Sequence, residues 1–472
     1  MLLKQSKSRW RHRLSWGTAF LCLAVPHLSM GAANLETQQT LDKLQEASLT
    51  VLAASICAGT YDNGSEKSTG NRYLADYGWD TQYYAFQDGK AQVHFTLARH
   101  RGLVQGKPLA VLAFRGSQTQ GDWQLNLKTD QVLFPGGKPK EPEAKNAPAV
   151  HQGFLQYARA ALDCPVDLDG DGTPDNIPAY LKTHPDQQLL LTGHSLGGAG
   201  AVLYGAELVQ QGASPSQLPI ITFGAPAVGN PAFAKTYGSR LDLLRIYTSL
   251  DPVPGLVQTF CGGYQQFGRE KEYRLSGNYT DYQHPISYYL DLAVRDYHQV
   301  RKEALDEGLI QPLPKRSLKG NGPIVALAVF CRDNGADTRF SPDLSQFLLD
   351  EYRSLLPRYV VIASEHTREA GEEIPAQDLR GKALAAGAQY LIVVHGERQR
   401  LGQTDKWAIS LGQEVVDLKN GGVLSLTTGS TRVRFEQGIL QSTLRLLENQ
   451  KIALRQLLPV NSQQTVNEIE LS

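Results

Sequence analysis

Apolar and polar positions along the chain change rhythm several times, and each change predicts a different kind of segment. The first is an apolar run, Leu14 to Leu28, preceded by Lys4, Lys7, Arg9, Arg11 and Arg13 and followed by the small residues Gly31, Ala32 and Ala33. Pro26, His27 and Ser29 break a run already short for a bilayer span, so residues 1–33 are expected to be a bacterial-type secretory signal peptide. From Asn34 to Ala58, Leu41, Leu44, Leu52 and Ile56 recur on or near one side, the spacing of a helix. Short alternating or wholly apolar runs follow at 83–87, 91–97 and 109–114, the lengths of strands. Strands and helices then alternate to about residue 300, which predicts a mostly parallel sheet with helices on its faces. Residues 311–322, Gln-Pro-Leu-Pro-Lys-Arg-Ser-Leu-Lys-Gly-Asn-Gly, are polar, rich in Pro and Gly and aperiodic, and are expected to be a linker. Beyond it the pattern reads β-α-β-α-β-β-β-α, a second, smaller α/β domain over 323–460 with a tail at 461–472. The fold class is α/β, with the first domain spanning 34–310.

Length agrees with this division, because 472 residues exceed what one core usually supports. Lys plus Arg and Asp plus Glu both total 47. That balance, without a long like-charge block, gives no electrostatic reason to expect a nucleic-acid partner. Cys22 would leave with the signal, and Cys57, Cys164, Cys261 and Cys331 would remain, either paired in an oxidising compartment or as buried thiols. The expected location is secreted or periplasmic.

The densest chemical signal is Gly193-His194-Ser195-Leu196-Gly197, which follows an apolar strand and opens a helix-forming stretch. G-x-S-x-G between a strand and a helix is a nucleophile elbow, in which small residues permit a turn tight enough to lift the serine above the sheet. A serine hydroxyl needs an imidazole to take its proton and a carboxylate to orient that imidazole. Asp251 lies just past the strand-like run Leu243–Tyr247, where open parallel sheets build their sites, and is the expected acid. Among the downstream histidines, His284 opens a helix-like segment and is the expected base. His298, within a polar helix, reads as a solvated surface residue, and His366 and His395, beyond the linker, read as solvated rather than catalytic. The backbone N–H of Leu196 is the expected first oxyanion donor.

These residues belong to a longer series that resembles the class 3 lipases, the fungal-lipase-like branch of the α/β-hydrolases. Ala113-Phe114-Arg115-Gly116-Ser117, Gly121-Asp122-Trp123 with Asn126-Leu127, and Val150-His151-Gln152-Gly153-Phe154 precede the elbow. Thr222-Phe223-Gly224-Ala225-Pro226, Asp251-Pro252-Val253-Pro254 and His284 follow it in the family's order. The resemblance covers roughly 35–305. It implies lipid-ester hydrolysis through an acyl-enzyme, with no cofactor for catalysis, and makes Ser117 the second oxyanion donor. It also implies an amphipathic lid over residues 118–132 and action at a lipid–water interface. Arg115 reads as structural.

Asp167, Asp169, Asp171, Thr173 and Asp175, with Gly172 at the sixth place of the run, are similar to the start of an EF-hand-type calcium loop. Position 12 is Pro178 rather than Glu, so the ligand set is incomplete. A structural calcium is expected there, the other reading being a solvated acidic turn. The second domain is similar in pattern to small periplasmic domains of curli-secretion lipoproteins, penicillin-binding-protein activators and the Tol-system propeller protein. That implies docking to an envelope protein. The alternative to an enzyme is a catalytically silent envelope scaffold acting through this second domain.

Overall fold

The computed structural model describes residues 35–61, 74–75, 77–88, 91–104, 106–117, 131–135, 146–255, 258, 262–274, 284–334, 344–367, 378–402, 406–433 and 439–458. The expected signal peptide, most of the expected lid (118–130), Cys261 and the tail lie outside them. Among the described residues no helix is long and apolar enough to cross a membrane.

Two sheets organise the chain. The first holds β1 (Trp79–Asp88), β2 (Ala91–Val104), β3 (Lys107–Phe114), β6 (Gln188–His194), β7 (Pro219–Phe223), β8 (Asp242–Thr248) and β9 (Arg269–Tyr273), in that spatial order. β1, β2 and β3 pair antiparallel, and β3 through β9 are parallel. The small ribbon β4 (Gln131–Leu133) with β5 (Ala149–His151) stands apart from this sheet. The expected parallel sheet is therefore present, with an antiparallel hairpin added along one edge.

Side-chain alternation along the strands sends neighbouring residues to opposite cores. Ala110, Leu112, Phe114, Leu189 and Leu191 face helices Gln152–Asp163 and Leu196–Gln210. Val111, Ala113, Leu190, Ile221 and Ile246 face the amino-terminal helix Leu35–Thr60 and the long helix Ile286–Asp306.

The second sheet has the order β10 (Arg316–Ser317), β12 (Tyr359–Thr367), β11 (Val325–Asn334), β13 (Tyr390–Arg400), β14 (Trp407–Asp417) and β15 (Val423–Val433). β12, β11 and β13 are parallel, and β13, β14 and β15 form an antiparallel meander. Within the expected linker, Arg316–Ser317 close the edge of this sheet against β12. Ala326, Ala328 and Phe330 point to a small core under helix Leu379–Ala385.

Val325, Leu327, Val329 and Cys331 point the other way, toward helices Leu344–Leu355 and Ile439–Leu457. These residues share one apolar core with helices Leu35–Thr60 and Ile286–Asp306. The two sheets are thus joined through a double layer of helices. Polar contacts stitch the same seam: Tyr77 donates to Glu351 at 3.1 Å, and Arg301 pairs with Asp350 at 3.3 Å.

Candidate active site

The carboxyl edge of the first sheet gathers the chemistry. Ser195 sits between β6 and helix Leu196–Gln210 with φ of 59°, and among the described residues it alone departs from glycine at positive φ. An L-residue is strained there, and such strain marks functional turns. The flanking glycines make the turn feasible. A Cβ on Gly193 would strike the backbone of Gly197, and one on Gly197 would strike the carbonyl of Phe114. The nucleophile strand therefore presses against the end of β3, where Gly116 and the half-buried Ser117 lie. A Cβ on Gly116 would stand 3.1 Å from that of Ser195.

Asp251 follows the end of β8, its side chain fully buried. Oδ1 accepts the Val253 N–H at 2.9 Å, which fixes the carboxylate plane. Oδ2 receives His284 Nδ1 at 2.8 Å and the Tyr289 hydroxyl at 2.5 Å. A carboxylate only accepts, so His284 carries its proton on Nδ1 and leaves Nε2 as the base. Burial first, then the charge of Asp251, raise Tyr289 well above the usual phenol range and keep it a donor. Gly224 at φ of 55° lies beneath this pair. A Cβ there would approach Asp251 Oδ2 to 2.5 Å, Tyr289 Oη to 2.9 Å and His284 Nδ1 to 3.2 Å.

The expected residues Ser117, Ser195, Leu196, Asp251 and His284 thus all fall at this edge. Leu196 opens its helix, so its N–H has no intrahelical acceptor and is available to a ligand. Arg115 donates to the Tyr83 hydroxyl at 2.9 Å, a structural contact. Tyr289, Tyr61 and His194 are site residues to which the sequence assigned no role. Tyr289 lies one helical turn beyond the start of the base's helix, which is the signal that would have found it.

Two histidine readings are corrected. His298 is half-buried against Phe347 of the second domain, with ring centroids 5.9 Å apart, and the burial of its ring, with the nearby Arg301 charge, lowers it to about 3. The His366 side chain is only 8% exposed, and Nε2 meets Asp333 at 2.7 Å. His395 is exposed and stacks on Phe330 at 5.5 Å. Cys57, Cys164 and Cys331 are buried thiols.

In the acidic loop, oxygens of Asp167, Asp169 and Asp175 lie within 4.8 Å of one another. Asp171 is not among them. Its Oδ1 accepts the Thr173 N–H at 2.8 Å and the Thr173 hydroxyl at 2.5 Å. Arg99 lies 3.5 Å from Asp167.

Strand order, strained elbow and buried acid–base pair define the first domain's fold as that of the α/β-hydrolases. Residues 111–260 match the family model for lipase (class 3). It is 31% identical over 176 residues to phospholipase A1-II 1 of Oryza sativa subsp. indica, covering 35% of this chain and 43% of the relative. To a lipase of Rhizomucor miehei it is 32% identical over 157 residues, covering 32% of this chain and 38% of that lipase. The chain thus spans less than half the length of these relatives. The solved triacylglyceride lipase of Rhizomucor miehei overlaps 52% of this chain and 83% of its own, at 24% identity and a TM-score of 0.37.

Proposed function

We propose that the protein hydrolyses carboxylic esters of lipids, acylglycerols or phospholipids, by a Ser-His-Asp mechanism. The observation that carries this is the buried His284–Asp251 pair, 2.8 Å apart, at the same sheet edge as a serine held at positive φ. His284 Nε2 takes the Ser195 proton as Oγ bonds the acyl carbon, and the carbonyl oxygen becomes an oxyanion. The Leu196 N–H with Ser117 stabilises it, each donor contributing about 3 kcal/mol. Collapse breaks the ester C–O bond, the leaving alkoxide takes the proton from His284, and water releases the acyl group through the reverse steps. Asp251 holds the tautomer throughout, and Tyr289 and Val253 hold Asp251.

Fluorophosphonate labelling and ester turnover, compared between wild type and Ser195→Ala, test this reading. A Ser195-dependent adduct with turnover is expected. No adduct and no turnover would favour the silent scaffold. The names of the relatives, a phospholipase A1 and lipases, support a lipid substrate; with action at a lipid–water interface, emulsified esters should be cleaved faster than dissolved ones. The basic and apolar amino-terminal pattern supports export, which processing near Ala33 in a secreting bacterium would test. The carboxylates of Asp167, Asp169 and Asp175 support a structural calcium. A rise in Tm with CaCl2, reversed by chelator, is the expected result.

A further inference from the structure

The residue just before the elbow serine, His194, sets its ring 4.5 Å from that of His284 and 6.0 Å from that of Tyr289. Any residue fits that position sterically as far as the turn is concerned, since only its neighbours must be small. Yet it holds an almost fully buried imidazole, 4% exposed, with both nitrogens engaged. Nε2 lies 2.7 Å from the backbone carbonyl oxygen of His284, and Nδ1 lies 2.7 Å from the Tyr61 hydroxyl. A carbonyl only accepts, so Nε2 carries the proton and Nδ1 accepts from Tyr61. The Tyr61 hydroxyl in turn packs against Gly116, where an added Cβ would strike it. Burial and the neighbouring His284 lower His194 well below the usual imidazole range, which keeps this neutral tautomer.

We propose that His194 and Tyr61 are positioning residues, a buried strut that fixes the oxyanion strand end, the nucleophile and the base relative to one another. The chain of contacts runs from Gly116, packed on the Tyr61 hydroxyl, through the Tyr61–His194 bond to the His284 carbonyl. Its ends are the residue before Ser117 and the backbone of the base. Asp251 grips the His284 side chain and His194 grips its main chain, so the imidazole is held at two points. The next residue, Pro285, has no N–H to offer a further anchor, and its ring fixes the backbone on which His284 sits. A buried polar residue in a place that an apolar one fills equally well costs free energy unless its bonds are made. Here they are made to the parts of the site whose spacing sets the rate.

The inference rests on the ester-hydrolase reading, and the experiment separates the two. Full-length His194→Phe, His194→Gln and Tyr61→Phe are assayed on p-nitrophenyl butyrate beside Ser195→Ala and His284→Ala, with Tm measured for each. A displacement of the base by about 1 Å costs roughly a hundredfold in rate. His194→Phe should therefore lose about that much in kcat with KM within about twofold, and His194→Gln, whose amide can still donate to the His284 carbonyl, should regain about tenfold of it. Tyr61→Phe, which keeps the ring, should lose about tenfold and carries the test if His194→Phe does not fold. Wild-type kcat in folded His194→Phe and Tyr61→Phe, or equal loss in the Phe and Gln variants, overturns the strut. If it is overturned while Ser195→Ala and His284→Ala are inactive, the hydrolase reading stands. Turnover retained in Ser195→Ala and His284→Ala removes that reading instead.

Discussion

Both sheets set a histidine against an aspartate at the carboxyl ends of parallel strands, and the two pairs are almost the same length. His284 and Asp251 are 2.8 Å apart, and His366 and Asp333 are 2.7 Å apart. In the first sheet the remaining acceptor capacity of the aspartate is filled by a tyrosine hydroxyl and a backbone amide, and a strained serine stands at the same edge. In the second, Arg398, itself 0% exposed, grips both oxygens of Asp333, and the residue in register with His366 is the fully buried Cys331. The comparison teaches that a His–Asp pair is not by itself a site. What separates them is a nucleophile lifted by a turn in the first case, and a guanidinium that spends the carboxylate's charge in the second.

Breaking each pair should therefore have opposite signatures. The largest effect expected is a loss of at least ~10⁴-fold in kcat/KM for Ser195→Ala with Tm unchanged, whereas His366→Ala should leave turnover per folded molecule within about twofold. Next, Asp333→Asn should leave Arg398 buried with a neutral partner and cost roughly 3–5 kcal/mol in urea unfolding, with the activity of the folded fraction retained. Gly224→Ala follows. The new Cβ would intrude between Asp251 and His284 at a positive φ, and a drop in kcat of about a hundredfold is expected from the displaced base.

The smallest effect tests the seam between the sheets. His298 is held neutral by burial, to about 3, against Phe347 across that seam. Its folded pKa lies below the unfolded value, so below about pH 6.5 the unfolded chain binds a proton that the folded chain refuses. This contribution is whole above pH 6.5. It should shrink by up to roughly 1.4 kcal/mol per pH unit as pH falls toward 3. Urea midpoints from pH 7 to pH 4 should show this slope, and His298→Gln should flatten it.

Much of the first site was legible because it is local. The elbow is contained in Gly193 to Gly197, and the acid and base are placed by strand ends and chain order. The oxyanion residues follow from the same motifs. What could not be read is held together through space. Tyr61 ends the first helix, far along the chain from His194, and no periodicity links them. Gly224 reads as a tight strand exit, and only the folded acid–base pair shows what a side chain there would strike. His298 fails for the same reason, since its helix looks polar until a second domain is packed on it. For His366, the neighbour is Asp333 on the adjacent strand, itself gripped by Arg398 on the next, a proximity that register creates and sequence hides. The order β-α-β-α-β-β-β-α of the second domain was legible because each element carries its own period.

The core shared by helices Leu35–Thr60, Ile286–Asp306, Leu344–Leu355 and Ile439–Leu457 has a consequence for how the molecule is made. Helix Leu35–Thr60 is synthesised near the start of the chain, but a layer that completes its core is synthesised near the end. Until then an apolar flank of the first sheet's helices stays uncovered, a surface on which incomplete chains associate. The unit of folding is therefore the whole chain, although the chemistry occupies only its first half. Chains halted before residue 439 should be a burden for chaperones, while finished ones should melt in a single step.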